Sequence, residues 1–185
     1  MSAGHPSRRF ARHAIVGAAW AGCMLLSGAK RDPEFLQFDA AARRVDLLVV
    51  AAYTTVNSGF NFNGGWNGSH RITIPLGWTV RIAFVNRDVI PHSLGIVREE
   101  RRLPTRIGAP AFPGAASRAI EQGIPAGARQ DDIVFVAGSA GEYLLACGVP
   151  AHATVGSYLR FTVSPDATVP SYEMGPVMEP VAARR

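Results

Sequence analysis

From Val45 onward the chain is a succession of short apolar runs, each cut off by glycine, proline or asparagine. VDLLVVAAYT (45–54) is β-branched and apolar, and SHRITIP (69–75) alternates. In WTVRIAFVN (78–86) Trp78, Val80, Ile82 and Phe84 share one face while Thr79 and Arg81 point away, the period-two signature of a half-buried strand. HSLGIV (92–97), DIVFVAG (132–138), GEYLLACG (141–148) and GSYLRFTV (156–163) continue the series. The 19 glycines and 13 prolines supply the turns, and 48% hydrophobic residues supply a core. Short strands at this spacing predict an all-β sandwich or barrel. Pro75-Leu76-Gly77 separates two of the runs and predicts a hairpin between them.

The flanks and one interior stretch differ. Residues 98–131 hold Pro104, Pro110, Pro113 and Pro125, so they are expected to form a long insertion loop with one short helical turn near 115–121. Residues 30–44 are polar and mixed, expected as a linker or a short helix near Pro33–Ala42. The tail, 165–185, is proline-rich and expected to be extended. The β domain itself is assigned to 45–164.

The first 29 residues have the layout of an export signal. SRRFAR (7–12) is basic, Ala14 to Leu26 is apolar, and Ser27-Gly28-Ala29 offers small residues at a cleavage position. Arg8 and Arg9 with Phe10 resemble a twin-arginine signal, although a membrane anchor through 14–29 is the alternative. An exported, periplasmic or otherwise extracytoplasmic protein is expected. The net charge of +5 then loses its meaning as a nucleic-acid signal. The segment 1–29 carries three of the arginines and no acid, and no basic stripe interleaved with aromatics is present elsewhere. A cluster at Arg98, Arg101, Arg102 and Arg106 is offset by Glu99 and Glu100, and reads as a solvated loop.

Of the 2 cysteines, Cys23 falls in the export segment, so the exported chain keeps Cys147 alone. A lone thiol in an oxidising compartment has no disulfide partner and calls for another explanation. Cys147 closes a strand, the turn Gly148-Val149-Pro150-Ala151 follows, and His152 comes next. His92 opens another strand directly after Pro91. One thiolate and two imidazoles form the trigonal donor set that copper needs to change oxidation state with little rearrangement. Taken singly, Cys147 would be a small buried hydrophobe and His152 a loop residue; the combination is what points to a metal. His70 is assigned to the surface.

The stretches FNFNGGWNGSHRITIPLGWTVRIAFVNRDVIPHS (60–93) and AGEYLLACGVPAHATVGSYLRFTV (140–163) resemble the sulfocyanins, blue copper proteins of the cupredoxin superfamily. The resemblance implies a Greek-key cupredoxin-like β-sandwich and one type 1 copper ion. It also implies electron exchange with redox protein partners of a respiratory or related chain. It makes His92, Cys147 and His152 the ligands, with Ser93 hydrogen-bonding the thiolate. The family places a methionine five residues after the turn histidine as a weak axial ligand; here that position is Ser157. A short, hard, protonated hydroxyl is a poor copper ligand, so a three-coordinate site is expected, with a distant Pro91 carbonyl or a water at most. Met174 and Met178 lie in the tail as remote candidates.

The altered axial position leaves two alternatives open: a copper storage or delivery protein, or a metal-free partner-binding subunit. An enzyme is not expected. Multicopper oxidases need further His-rich motifs, and a cysteine hydrolase would leave His92 unexplained. A monomer is expected.

Overall fold

The computed structural model describes residues 34–175 together with Met1. Residues 2–33, which hold nearly all of the expected export segment, and 176–185, with Met178, lie outside the described residues.

Among the described residues, nine strands form two facing sheets. They are β1 (Leu36–Asp39), β2 (Arg44–Ala51), β3 (Arg71–Pro75), β4 (Thr79–Asn86), β5 (Gly95–Arg98), β6 (Arg129–Val136), β7 (Gly141–Ala146), β8 (Tyr158–Ser164) and β9 (Ser171–Glu173). One sheet has the order β1-β2-β4-β6 and the other β5-β7-β8-β3-β9. Each strand sends alternate side chains inward. Val45, Leu47 and Val49 of β2 and Val80, Ile82 and Phe84 of β4 meet Ile72 and Ile74 of β3, Tyr143 and Leu145 of β7 and Phe161 of β8 in one core. Phe135 and Phe161 bridge the two sheets with ring centroids 6.2 Å apart. The all-β sandwich read from the alternation is thus the observed architecture, and the inward face of β4 is the one expected.

Three local expectations are corrected. The stretch 30–44, expected as linker or helix, carries β1, which pairs antiparallel with β2 in the register Leu36↔Leu47. Burial of Phe35 and Leu36 supplies the reason, because two apolar residues beside a strand edge gain more by joining the sheet than by forming a short helix. The hairpin expected around Pro75-Leu76-Gly77 does not form. That turn carries the chain from one sheet to the other: β3 pairs with β8 and β9, and β4 pairs with β2 and β6. The expected helical turn near 115–121 is replaced by turns and an isolated bridge between Ala116 and Gly95. The described part of the tail, up to Gly175, contains β9, an edge strand in the register Ile72↔Tyr172.

The strand ends place the loops that matter. β4 finishes at Asn86, β7 at Ala146, and β8 begins at Tyr158, so segments 87–94 and 147–157 emerge at one end of the sandwich. A third segment, a short 3-10 turn at Val56–Gly59, reaches the same end and is tied to it by the Asn57 side-chain amide, which donates to the Val155 carbonyl at 2.8 Å. The insertion does not hang free. Ala151 N–H donates to Thr105 O at 2.8 Å, Ile124 N–H donates to His92 O at 2.7 Å, and Ser117 N–H donates to Leu94 O at 2.7 Å. It clasps both loops from outside. Among the described residues no helix is long and apolar enough to cross a membrane.

Candidate metal centre

Cys147 follows directly on β7, and its N–H donates to Ser157 O at 3.0 Å. The chain then turns back, and Ser157 N–H donates to His152 O at 3.0 Å. These two bonds close the loop into a rigid ring of chain with Cys147 and His152 on one side. Ala151 takes a left-handed backbone (φ 69°) to make that turn. His92 enters from the β4–β5 connection.

The three side chains meet. Cys147 Sγ lies 3.7 Å from His92 Nδ1 and 3.5 Å from His152 Nδ1, and the three candidate donor atoms all lie within 4.8 Å of one another. Bonds of about 2.3 Å to sulfur and about 2.0 Å to imidazole nitrogen in a trigonal arrangement would set sulfur and nitrogen about 3.7 Å apart. The donor set therefore fits a single metal ion in size as well as in chemistry, and a thiolate with two imidazoles is a copper set. His92 and Cys147 are fully buried, and His152 is partly exposed.

Sulfur sits among hydrogen-bond donors. Ser93 N–H points at Cys147 Sγ at 3.4 Å, and Ser93 Oγ stands 3.8 Å away. Gly148 N–H donates to that same Oγ at 2.8 Å, which leaves the hydroxyl proton free to face the sulfur. Burial pushes the Cys147 thiol up from its ordinary pKa, while the amides of Ser93 and Val149 and the hydroxyls of Ser93 and Ser157 pull against it. A metal ion bound there would take the place of the thiol proton, and these donors would stabilise the thiolate. His152 is lowered to about 4 by burial and by the charge of the neighbouring His92 ring, with Asp88 acting the other way. Its ring is thus neutral, with a lone pair available, over most of the pH range.

Ser157 is fully buried, and its Oγ has no hydrogen-bond partner. An orphaned buried hydroxyl costs about 1–3 kcal/mol, and this one faces the sulfur closely enough to depress its pKa. Pro91 is exposed in the turn before His92. Met174 is exposed just beyond β9, three strand spacings or about 14 Å across the sheet from β7, too far to ligate the same ion.

His70, expected on the surface, is 3% exposed and its Nδ1 lies 3.3 Å from the Tyr172 hydroxyl. It is a core histidine with a hydrogen-bonding partner, and it is not among the grouped candidate donors.

Two neighbours of the site were missed in the sequence. Phe60 meets His152 edge-on at 4.8 Å and lies 6.0 Å from the His92 ring, walling the site on the side of the 3-10 turn. Asp88 Oδ2 lies 2.9 Å from His92 Nε2. An acid four positions before a histidine in a turn was the available signal, and it is a weak one. In the arginine cluster, Arg106 pairs with Glu121 and Arg98 lies 5.8 Å from the Tyr143 ring centroid, so two of its cations have partners within the chain.

The sulfocyanin (SoxE) domain family matches residues 33–175. The chain belongs to the sulfocyanin family. A curated relative, sulfocyanin of Sulfolobus acidocaldarius, is 34% identical over 130 residues, 66% of this chain and 64% of that one. The chain thus spans slightly under two thirds of the relative's length. Among solved structures, reduced rusticyanin is similar at a TM-score of 0.48 and 19% identity, over 74% of this chain and 89% of that one. Dithionite-reduced auracyanin from Roseiflexus castenholzii is similar at 0.45 and 21% identity, over 65% and 97%. Sulfocyanin membership accounts for both the β-sandwich and the His-Cys-His cluster at its end.

Proposed function

We propose that this chain is an electron-transfer protein with one type 1 copper ion held by His92, Cys147 and His152, without a strong axial donor. The observation that carries the reading is the convergence of one buried sulfur and two ring nitrogens, from two loops, at distances one ion would set. A copper ion bound there supplies a one-electron couple. The rest is the chain's own contribution. Burial of Cys147 and His92 excludes water, and the loops that carry the ligands are pinned by backbone hydrogen bonds. Donors are thereby held in one arrangement that need not change when an electron arrives.

His152 is the ligand with access to solvent, and the apolar Val149, Pro150 and Ala151 directly precede it in the loop. Its ring is the exit for the electron, and the apolar rim suits a small interface with a redox protein that must separate quickly. Residues 1–29 carry the chain out of the cytoplasm or tether it through 14–29, and the copper domain runs from β1 to β9, wider than the 45–164 read from the sequence. The protein works as a monomer at the extracytoplasmic face and has no substrate of its own.

Ser157 occupies the axial position of the family. Its buried hydroxyl has no hydrogen-bond partner and is a poor copper ligand, so no strong axial donor stabilises the oxidised ion. That absence favours the reduced state. Ser157→Met is expected to lower the reduction potential by about 60 mV or more, a tenfold shift in a one-electron equilibrium. Voltammetry of the copper-loaded proteins measures this, and an unchanged or higher value counts against the assignment. Voltammetry of the unaltered protein tests the function itself. A reversible one-electron wave supports electron transfer, whereas uptake of Cu(I) with no reversible wave would point to storage or delivery.

A further inference from the structure

We infer that Asp88 is a positioning residue for His92: its carboxylate fixes the ring tautomer that presents Nδ1 to the metal and sets a negative charge beside the ligand that favours the oxidised site. This rests on the copper reading above for its second half, and on the fold alone for its first. An imidazole that coordinates through Nδ1 must carry its proton on Nε2, and whatever accepts that proton's hydrogen bond decides the tautomer. Here the acceptor is Asp88 Oδ2, at 2.9 Å from Nε2, while Nδ1 of the same ring stands 3.7 Å from Cys147 Sγ.

The carboxylate is itself held. Val89 N–H donates to Oδ1 at 2.6 Å, and the Asp88 N–H donates to Asn86 Oδ1 at 2.9 Å. Asn86 is buried, and its amide donates to Ile90 O at 2.8 Å and Ile124 O at 3.0 Å. On the other side Gly59 has φ +88°, and a Cβ there would stand 2.9 Å from Asp88 Oδ2. The space for the carboxylate therefore depends on a glycine. The Asp88 side chain is 14% exposed and the His92 side chain 0%, so the charge is poorly screened compared with a surface pair. Among the ion pairs of the described residues Asp88 is matched with His92 alone, and the adjacent Arg87 lies over the Tyr53 ring instead. A fixed negative charge next to a ligand stabilises the more positive oxidation state. It thus opposes the effect of Ser157.

Asp88→Asn keeps an acceptor and removes the charge; Asp88→Ala removes both. In the metal-free protein, long-range proton–nitrogen NMR of the imidazoles is expected to show His92 protonated on Nε2 in the parent and in the asparagine variant. In the alanine variant a mixture of tautomers is expected. With copper loaded, both variants are expected to favour the reduced state tenfold more than the parent, a rise of about 59 mV for one electron. A parent tautomer protonated on Nδ1, or one that is unchanged in the alanine variant, overturns the positioning role without reference to copper. An unchanged potential in both variants overturns the electrostatic role. Absence of copper binding in every protein, with the tautomers as expected, would overturn the metal reading and the electrostatic half together, leaving the positioning of His92 intact.

Discussion

Cys147→Ser abolishes the visible colour of the copper-loaded protein and weakens copper uptake at least about 100-fold. The magnitude follows from comparison, since loss of a group that merely supports a ligand costs about 10–100-fold and Cys147 is the only soft donor in the cluster. A serine hydroxyl at this position is hard and protonated, so a cupric ion would keep two imidazoles and lose the thiolate whose charge transfer gives the colour. The fold itself should survive. Serine is close to cysteine in size, and Ser93 and Gly148 already offer hydrogen-bonding groups around the position. Absorption spectroscopy and a copper-affinity titration on the full chain measure the effect. Cys23 is the other thiol in the sequence, so loss of colour on this change assigns the chromophore. A band that persists would place it elsewhere.

Gly123→Ala is expected to destabilise the protein by about 2–4 kcal/mol, and to disturb the copper spectrum as well. Gly123 has φ +75°, and a Cβ on it would stand 2.8 Å from His92 O, 2.9 Å from His92 N and 3.0 Å from His92 C. The neighbours are backbone atoms of a proposed metal ligand and cannot swing aside. A left-handed backbone costs a non-glycine residue about 1–2 kcal/mol, and the remainder comes from parting the insertion from the 92–94 segment. The bridge His92↔Ile124 would open, and with it the constraint that holds the His92 ring in place. Thermal unfolding should show a midpoint lowered by roughly 5–15 °C, with a shifted or broadened visible band. Unchanged stability together with an unchanged spectrum would mean that the insertion only lies near the site and does not brace it.

What the sequence disclosed follows the range over which each signal acts. The β4 face was legible because Trp78, Val80, Ile82 and Phe84 alternate within one run, and burial follows the alternation. Cys147 and His152 were legible because one turn holds both, and the turn chemistry is local. His92 was legible only through its place after a proline at a strand mouth. What could not be read was pairing at a distance. Pro75-Leu76-Gly77 looks the same whether it closes a hairpin or crosses between sheets, and the choice is made by β8, β9, β2 and β6, which lie far along the chain. His70 was misplaced for the same reason: its partner Tyr172 is 102 residues away. Asp88 reads as a turn residue, and only the folded chain shows that the turn faces back onto His92. The insertion looked like a loop because its hydrogen bonds run to the ligand segments and form no repeating pattern of their own.

In the proposed site one sulfur and two ring nitrogens hold a single redox-active copper. Titration of the metal-free protein with Cu(II), followed by absorption and electron paramagnetic resonance, addresses it directly. The expected result is an intense visible band that saturates at one copper per chain, with the narrow copper hyperfine splitting of a covalent thiolate site, and that bleaches on addition of one electron equivalent. Colourless binding, or a band that keeps growing well past one equivalent, would contradict it.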